Sequence, residues 1–269
     1  MANETTSSTI SELYTEIVQE ALFVAQAQSI MRGLVRNYTI AGGGKSVEVP
    51  IYGTVSASAV NPTSVTITAS EVGIMTTLTD LARNSASRNV GADIGRLFGE
   101  AIAKKIDTDL TALFDGFSTS IGGAGTELTI DNIFKAVATL RQANVPAPYF
   151  GVFNPKVIYN VKKSLTNTFV NPNAGDLQNE AMRTGFIGEI AGVRIFESSN
   201  VDGTTDTDNC KGAVFSQDAL GLAMMQDLKI ESQRDASLGA DEIVATAVYG
   251  VGELHDSYGI EKLNESVIN

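Results

Sequence analysis

One stretch of about thirty residues, from Ser87 to Gly116, has the apolar spacing of a single, unusually long helix. Its apolar side chains recur at steps of three and four residues, which places them along one stripe of a helix with 3.6 residues per turn. At about 1.5 Å per residue this helix is roughly 45 Å long, whereas an average helix has about 11–12 residues. Because one compact core does not require such a length, the rest of the chain must be organised along it.

Three glycines, Gly91, Gly95 and Gly99, recur every four residues along one edge of this predicted helix. Each costs roughly 1 kcal/mol relative to alanine in a helix interior. The spacing predicts a groove in which the backbone of another segment lies close against the helix. The alternative is a row of glycines that is tolerated near a frayed helix start.

Composition limits the class of protein. The chain has 269 residues, of which 43% are hydrophobic, enough for one large domain or two smaller ones with a substantial core. No run of eighteen apolar residues is present to span a membrane, and the first thirty residues lack the Lys or Arg of a secretory signal. A single cysteine, Cys210, excludes an internal disulfide framework and favours a reducing compartment.

The charge balance argues against a nucleic-acid-binding protein. The chain carries 31 acidic and 19 basic residues, a net charge of −12. A nucleic-acid binder needs a basic surface that displaces counterions, and the sequence has no basic cluster of that kind. The acidic balance keeps a concentrated protein soluble and repels DNA placed beside it.

The sequence offers no catalytic, metal or cofactor site. Its one histidine, His255, and Cys210 lie in no nucleophile motif, and together they are too few for a zinc site. The glycine-rich segment before Ser46 has Thr39 where a phosphate-binding loop needs its first glycine. The acidic residues 202–208 lack the EF-hand spacing, and His255 is most simply a surface residue. We therefore predict a protein that is not an enzyme and holds no cofactor.

Two segments that precede the long helix are predicted to pack against the rest of the chain or against a neighbouring copy of it. From Ile10 an amphipathic helical pattern begins, and it must dock on its own domain or on a neighbouring copy. Strand patterns at 46–52, 65–68 and 72–77 predict a long hairpin, which carries no charged residue from Thr54 to Ser70. An uncharged strand edge pairs readily with another chain. The hairpin is therefore expected to pack against its own subunit or, as its protruding shape favours, against a neighbouring copy.

After a glycine-rich connector at 122–125, the pattern changes to alternating short helices and strands. The predicted elements are a helix at 129–143, a strand at 149–153, a helix from Pro155 to about Lys163, a strand pair at 188–196, a strand at 211–215, a short helix at 216–225, long strands at 228–235 and 242–251, and a short strand at 258–263.

This order of elements resembles the major capsid proteins of tailed bacteriophages, whose fold is named after phage Hong Kong 97. Three collinear stretches carry the similarity: Met75 to Asp107, Gly188 to Ser198, and Gly212 to Gly252. The first is similar to the family's spine helix and its approach, the second to the strand pair of its axial domain, and the third to the strands of its peripheral domain.

The resemblance implies an α+β protein with the Hong Kong 97 capsid fold. The implied parts are an N-terminal arm at 1–37, an extended β-hairpin loop at 42–77, a peripheral domain with the spine helix at 78–126 and 228–257, and an axial domain at 127–227 and 258–269. The expected inter-subunit contacts are Leu13, Ile17, Thr54, Val55, Val60, Asn61, Pro62, Val65 and Ile67. Residues 46–79 contain no lysine, only Lys45 at the base, so a shell without covalent cross-links is expected.

The implied function is that of a major capsid protein. It would assemble in the bacterial cytoplasm, as hexamers and pentamers, into the icosahedral shell of a virion that encloses double-stranded DNA without binding it specifically. The implied partners are further copies of the chain, a separate scaffolding protein, a portal and a decoration protein, and no membrane. The alternatives are an encapsulin-like nanocompartment shell, a surface or tail-tube protein and, third, an enzyme.

Overall fold

The computed structural model describes residues 17–25, 29–40, 44–51, 63–81, 90–123, 125–167, 188–201 and 209–265. The helices are α1 (residues 17–25), α2 (Val90–Ala112), α3 (Ile130–Gln142) and α4 (Pro155–Asn167), and short 3-10 turns lie at Met31–Gly33, Leu113–Gly116 and Asp256–Tyr258. The strands are β1 (Arg36–Thr39), β2 (Ser46–Ile51), β3 (Thr63–Thr68), β4 (Ser70–Thr79), β5 (Tyr149–Phe153), β6 (Glu189–Ile190), β7 (Val193–Glu197), β8 (Asn209–Ser216), β9 (Leu220–Asp235), β10 (Ala240–Glu253) and β11 (Gly259–Glu265).

These strands form three sheets. The first has four strands in the order β1-β9-β10-β4, with β1 parallel to β9 and the other pairs antiparallel. The second has five strands in the order β11-β8-β5-β7-β6, in which only β5 and β7 are parallel. The third is the two-stranded hairpin β2-β3.

The structure confirms the apolar stripe that the sequence predicts for the long helix. Its large buried apolar side chains are Phe98, Ile102, Ile106, Leu110 and, in the 3-10 turn that continues it to Gly116, Phe114. They join one core with residues of both larger sheets, and the rings of Phe114 and Phe215 lie 5.5 Å apart between centroids. The helix therefore connects the four-stranded and five-stranded sheets. Residues 82–89, part of the predicted helix start, lie outside the described residues.

A second core lies on the other face of the five-stranded sheet. Helices α3 and α4 both pack there, through Ile133, Leu140, Val157 and Val161. The α3 bounds match the prediction because its N-cap, Thr129, accepts a hydrogen bond from the backbone N–H of Asn132. None of the described helices is long and apolar enough to span a membrane.

Two predicted elements are wrong. Strand β4 is not part of the hairpin, because it pairs along its length with β10, from Thr79 opposite Ala240 to Ser70 opposite Tyr249. Within the described residues, the predicted long hairpin is therefore the shorter pair β2-β3. The helix predicted at 216–225 is also wrong, since β9 runs unbroken from Leu220 to Asp235 and crosses the predicted domain boundary at 227/228. Its first four residues are buried on both faces, and a fully buried strand shows no alternation.

Candidate assembly interface

The glycine row of α2 is a groove that holds the backbone of α1. A Cβ added at Gly95 would lie 2.6 Å from the carbonyl oxygen of Ile17, and one added at Gly99 would lie 2.5 Å from that of Ala21. Real Cβ atoms do not approach backbone atoms so closely, so only glycine permits this contact. The interpretation of these two glycines as a groove is confirmed, and the segment in it belongs to the same chain.

A buried carboxylate fixes the chain directly after α1. Asp107 of α2, only 1% exposed, accepts hydrogen bonds from the hydroxyl group of Ser29 at 2.6 Å and from the backbone N–H groups of Ile30 at 3.1 Å and Met31 at 3.2 Å. Such charge-assisted bonds are stronger than neutral ones. The carboxylate therefore caps the 3-10 turn at Met31–Gly33 and anchors the N-terminal segment.

The apolar spacing of the long helix leaves Asp107 outside the apolar stripe, on a face that would be expected to meet solvent, yet Asp107 is buried. The sequence spacing around Asp107 indicates this burial, because Ala103 and Thr111 lie four residues before and after it on the same side of the helix and are also buried. A row of small and polar residues beside the apolar stripe is where another segment of chain can approach the helix. Thr111 uses its hydroxyl group to bind the carbonyl oxygen of Asn200, at 3.1 Å.

The base of the hairpin is anchored on the four-stranded sheet. Ile67 of β3 is 1% exposed and packs over Gly252 and Gly221, where added Cβ atoms would lie 2.9 Å and 3.0 Å from its side chain. Val49 and Ile51 of β2 join the same small core. The alternate residues of both strands point away from this core and are exposed. One face of the hairpin therefore packs against its own subunit, and the other face is exposed.

The predicted inter-subunit residues fall into three groups. Ile17 and Ile67 are buried within the chain itself: α2 covers Ile17, and glycines of β9 and β10 make room for Ile67. Val65 is partly buried against the small core beneath the hairpin. The remaining predicted contacts lie outside the described residues, namely Leu13, Thr54, Val55, Val60, Asn61 and Pro62.

Exposed apolar side chains mark other surfaces of the two anchored elements. Phe23 of α1 is 70% exposed, and Leu97 of α2 is 58% exposed. Met75 of β4 is 62% exposed on the four-stranded sheet. Single exposed apolar residues are common on soluble proteins. These side chains are therefore available to a partner without themselves identifying one.

Two buried polar groups form hydrogen bonds in the interior. The phenol of Tyr249 donates a hydrogen bond to Asp109 at 2.7 Å, and its pKa is raised by burial and by that carboxylate. Lys262 of β11 is fully buried, and its ammonium group donates to the carbonyl oxygen of Asn132 at 2.8 Å. Burial, together with the charge of Lys135, lowers the pKa of Lys262 to about 7. The first pair ties α2 to β10, and the second ties β11 to α3.

The described residues show no arrangement suited to catalysis. No three His, Cys, Asp or Glu side chains among them are grouped to hold a metal ion. Cys210 is buried in the second core, and the ring of His255 stacks on Tyr258 with centroids 4.3 Å apart. His255 is partly buried, and this burial lowers the pKa of its imidazole.

Comparison with known proteins gives the family. A model of the phage capsid protein family matches residues 62–263, which is most of the chain. None of the curated protein sequences compared with the chain matches it significantly.

Solved structures show the same fold. A structure from Mycobacterium phage Che8 is 24% identical, with a TM-score of 0.72 over 87% of this chain and 91% of that one. The capsid of cyanophage P-SCSP1u is 20% identical, with a TM-score of 0.69 over 88% of each chain. The holo-SrpI encapsulin of Synechococcus elongatus is 14% identical, with a TM-score of 0.67 over 90% of this chain and 89% of that one. The predicted Hong Kong 97 capsid fold is thus confirmed. The chain belongs to the phage capsid protein family, and its role is structural, as a shell-forming protein.

Proposed function

We propose that this chain is the major capsid protein of a tailed phage and that copies of it, as hexamers and pentamers, form the icosahedral shell around a double-stranded DNA genome. The observation that carries the proposal is the family match over residues 62–263. The net charge of −12 supports it, because an acidic wall does not hold packaged DNA by adhesion.

The anchored hairpin and N-terminal segment suggest how subunits join. Ile67 and its small core fix the base of the hairpin, and residues 52–62, the sequence between its two strands and here called the tip, follow directly from that base. We infer that Thr54, Val55, Val60, Asn61 and Pro62 contact the adjacent subunit. A standard interface buries roughly 800 Å² per partner, and several such contacts in a closed shell add up through multivalency.

The shell is expected to be held by non-covalent contacts. No lysine occurs from Ser46 to Thr79, and Lys45 is at the hairpin's base. Particles boiled in SDS should run as a single band at the size of the monomer. A ladder of oligomers would contradict this expectation.

Other partners follow from the proposed function. We expect a separate scaffolding protein, a portal, a decoration protein and assembly in the host cytoplasm. Co-expression with neighbouring genes of the same genome tests these expectations, because each partner should co-purify with the shell and change the yield or the regularity of particles.

An encapsulin-like compartment is the second candidate, since an encapsulin shares the fold. The two differ in content, because a phage head holds nuclease-protected DNA and an encapsulin holds protein. Particles purified from infected cells and treated with nuclease should release DNA of one genome length. Particles that release only protein cargo would overturn the phage assignment and leave the shell role standing.

A further inference from the structure

The four-stranded sheet has two edges, and described strands leave both of them at least partly uncovered. Strand β4 forms one edge, because among the described strands it pairs only with β10, over ten consecutive residues from Ser70 to Thr79 without a bulge. Ten residues of antiparallel strand span about 33 Å. At the other edge, β1 covers β9 only from Gly221 to Met224, so no described strand covers the rest of β9.

The two edges differ in charge. The uncovered part of β9, residues 226–235, carries five charged side chains, namely Asp227, Lys229, Glu231, Arg234 and Asp235. Strand β4 has no charged residue from Val72 to Thr79 and no proline along its length. Proteins protect an exposed strand edge with charged side chains, proline or a bulge, because its backbone groups otherwise pair with another chain. The β9 edge has this protection, and the β4 edge lacks it.

Large apolar side chains are also exposed along β4 and at its end. Eight large apolar residues of the described chain are exposed, and three of them lie here: Met75 at 62%, Leu81 at 79% and Leu238 at 63%. Met75 lies on the face of the sheet opposite to its neighbour Ile74, which packs against the core shared with α2. Single exposed apolar residues are common, but a group of them along one edge indicates an interaction surface.

Bonds at the end of the sheet hold the two leucines in place. The backbone N–H of Asp80 donates to the carbonyl oxygen of Gly239 at 3.0 Å, and Leu81 and Leu238 are the next residues beyond this bond. The guanidinium group of Arg234 donates to both carboxylate oxygens of Asp80, at 2.8 Å and 2.6 Å. Such a bidentate pair fixes the geometry as well as adding energy. The apolar end of the β4 edge therefore has a defined position on the subunit.

The chain's own hairpin leads away from the β4 edge. Tyr249 is the last residue of β10 that pairs with β4. Beyond it, Gly250 and Gly252 of β10 lie against Thr68 and Ile67 of β3. Strand β3 therefore continues along β10 past the end of β4 and does not cover the β4 edge. In the part of the chain that the structure describes, no other strand lies beside this edge.

We propose that the outer edge of β4 is a subunit interface, at which β4 pairs with a strand of a second copy of this chain while Leu81 and Leu238 pack against that copy. The inference rests on the shell proposed above, because a closed shell brings the same edge of each subunit to a neighbouring copy. A strand added to an open edge gains main-chain hydrogen bonds. The uncharged β4 edge can form them without burying an unpaired charge.

Two lysine substitutions at the same level of the sheet test the proposal in the full chain. Thr77 of β4 and Gln233 of β9 are both exposed, and both lie directly opposite Glu242 of β10, one at each edge. T77K should reduce the particles recovered by sedimentation by at least about tenfold, because strand pairing would then desolvate a charge. The control Q233K, which places the same charge beside the same glutamate, should assemble like the wild type. Both subunits should keep the melting temperature of the wild type. Equal assembly of the two variants, whether both assemble or both fail, would overturn the proposal.

Hydrogen exchange of the wild type, followed residue by residue, gives a readout that does not depend on the folding of either variant. Alternate backbone N–H groups of an antiparallel edge strand point outward, and in separated subunits those of residues 72–78 should exchange freely. In particles they should exchange at least about tenfold more slowly, while the outward N–H groups of residues 228–234 on β9 should not change.

Two results would overturn the interface and leave the shell standing: outward β4 groups that are already protected in separated subunits, or outward β4 groups that still exchange freely in particles. A wild type that forms no particles under any assembly condition would overturn the shell and the interface together.

Discussion

Replacing Gly99 with alanine tests the packing of the N-terminal helix, because two effects of the change have opposite signs. In an isolated helix the substitution stabilises by about 1 kcal/mol. In this fold the new Cβ would lie 2.5 Å from the carbonyl oxygen of Ala21 and 3.0 Å from the backbone nitrogen of Ala25. Since both atoms are backbone, no side-chain rotation relieves the contact, and α1 must move by about an ångström to reach ordinary van der Waals distance.

The expected magnitude follows from the side chains that α1 buries. Overpacking of this kind costs about 1–3 kcal/mol, which exceeds the gain in helix propensity. Full release of α1 would expose Ile17 and Val24, worth about 1.5–3 kcal/mol each, which sets the upper limit. After subtraction of the gain in helix propensity, we expect a net loss of up to about 2 kcal/mol in the docking of α1, and therefore an increase of up to roughly 30-fold in its local opening.

Hydrogen exchange of residues 17–25 and limited proteolysis near the N-terminus measure this opening. The control is G33A, because a Cβ added at Gly33 meets nothing within 4 Å. G99A should exchange faster in α1, while G33A should match the wild type. Unchanged exchange in α1 together with a higher melting temperature for G99A would show that helix propensity decides the outcome and would refute the packing argument.

Three further predictions follow. D107N removes a buried charge that binds Ser29, Ile30 and Met31, so chemical denaturation should show a loss of about 1–3 kcal/mol; equal stability would contradict the cap. K262M should be more stable than wild type below about pH 7, where the buried ammonium group of Lys262 is charged. Because the pKa of Lys262 is lowered, the stability of the wild type should rise with pH between about 7 and the ordinary value of 10.5, by at most about 1.4 kcal/mol per pH unit. Urea titrations should show this slope in the wild type and in the exposed-lysine control K229M but not in K262M; a slope in K262M would contradict the assignment. Deletion of residues 54–60 should leave circular dichroism and melting unchanged, because Ile67 still anchors the hairpin base, but should abolish particles in sedimentation; normal particles would contradict the role of the tip.

Local patterns predicted the elements that the chain's own periodicity defines. The strand Tyr149–Phe153, the helix capped by Thr129 and the end of the long helix at Gly116 lie where the sequence placed them. The close approach at Gly95 and Gly99 was one of the two interpretations that the sequence allowed, since repeated glycines in a helix interior cost stability unless they lie near a frayed start.

Long-range strand pairing was not predictable, because the alternation of apolar residues in a strand does not specify which other strand it pairs with. Residues 72–77 have a strand pattern that fits a hairpin, yet β4 pairs with β10, far away in the sequence. The role of Asp107 was missed for a related reason. The row of small and polar residues around it indicates that another segment approaches the helix, but it does not specify that the segment is the one containing Ser29.

Electron microscopy of the purified full-length protein is the most direct measurement of whether this chain is built to form a closed shell. The fold and family predict hollow, closed particles of icosahedral symmetry, assembled from copies of this chain. Fibres, open tubes or dispersed monomers under all assembly conditions, including co-expression with the neighbouring genes, would contradict the central claim.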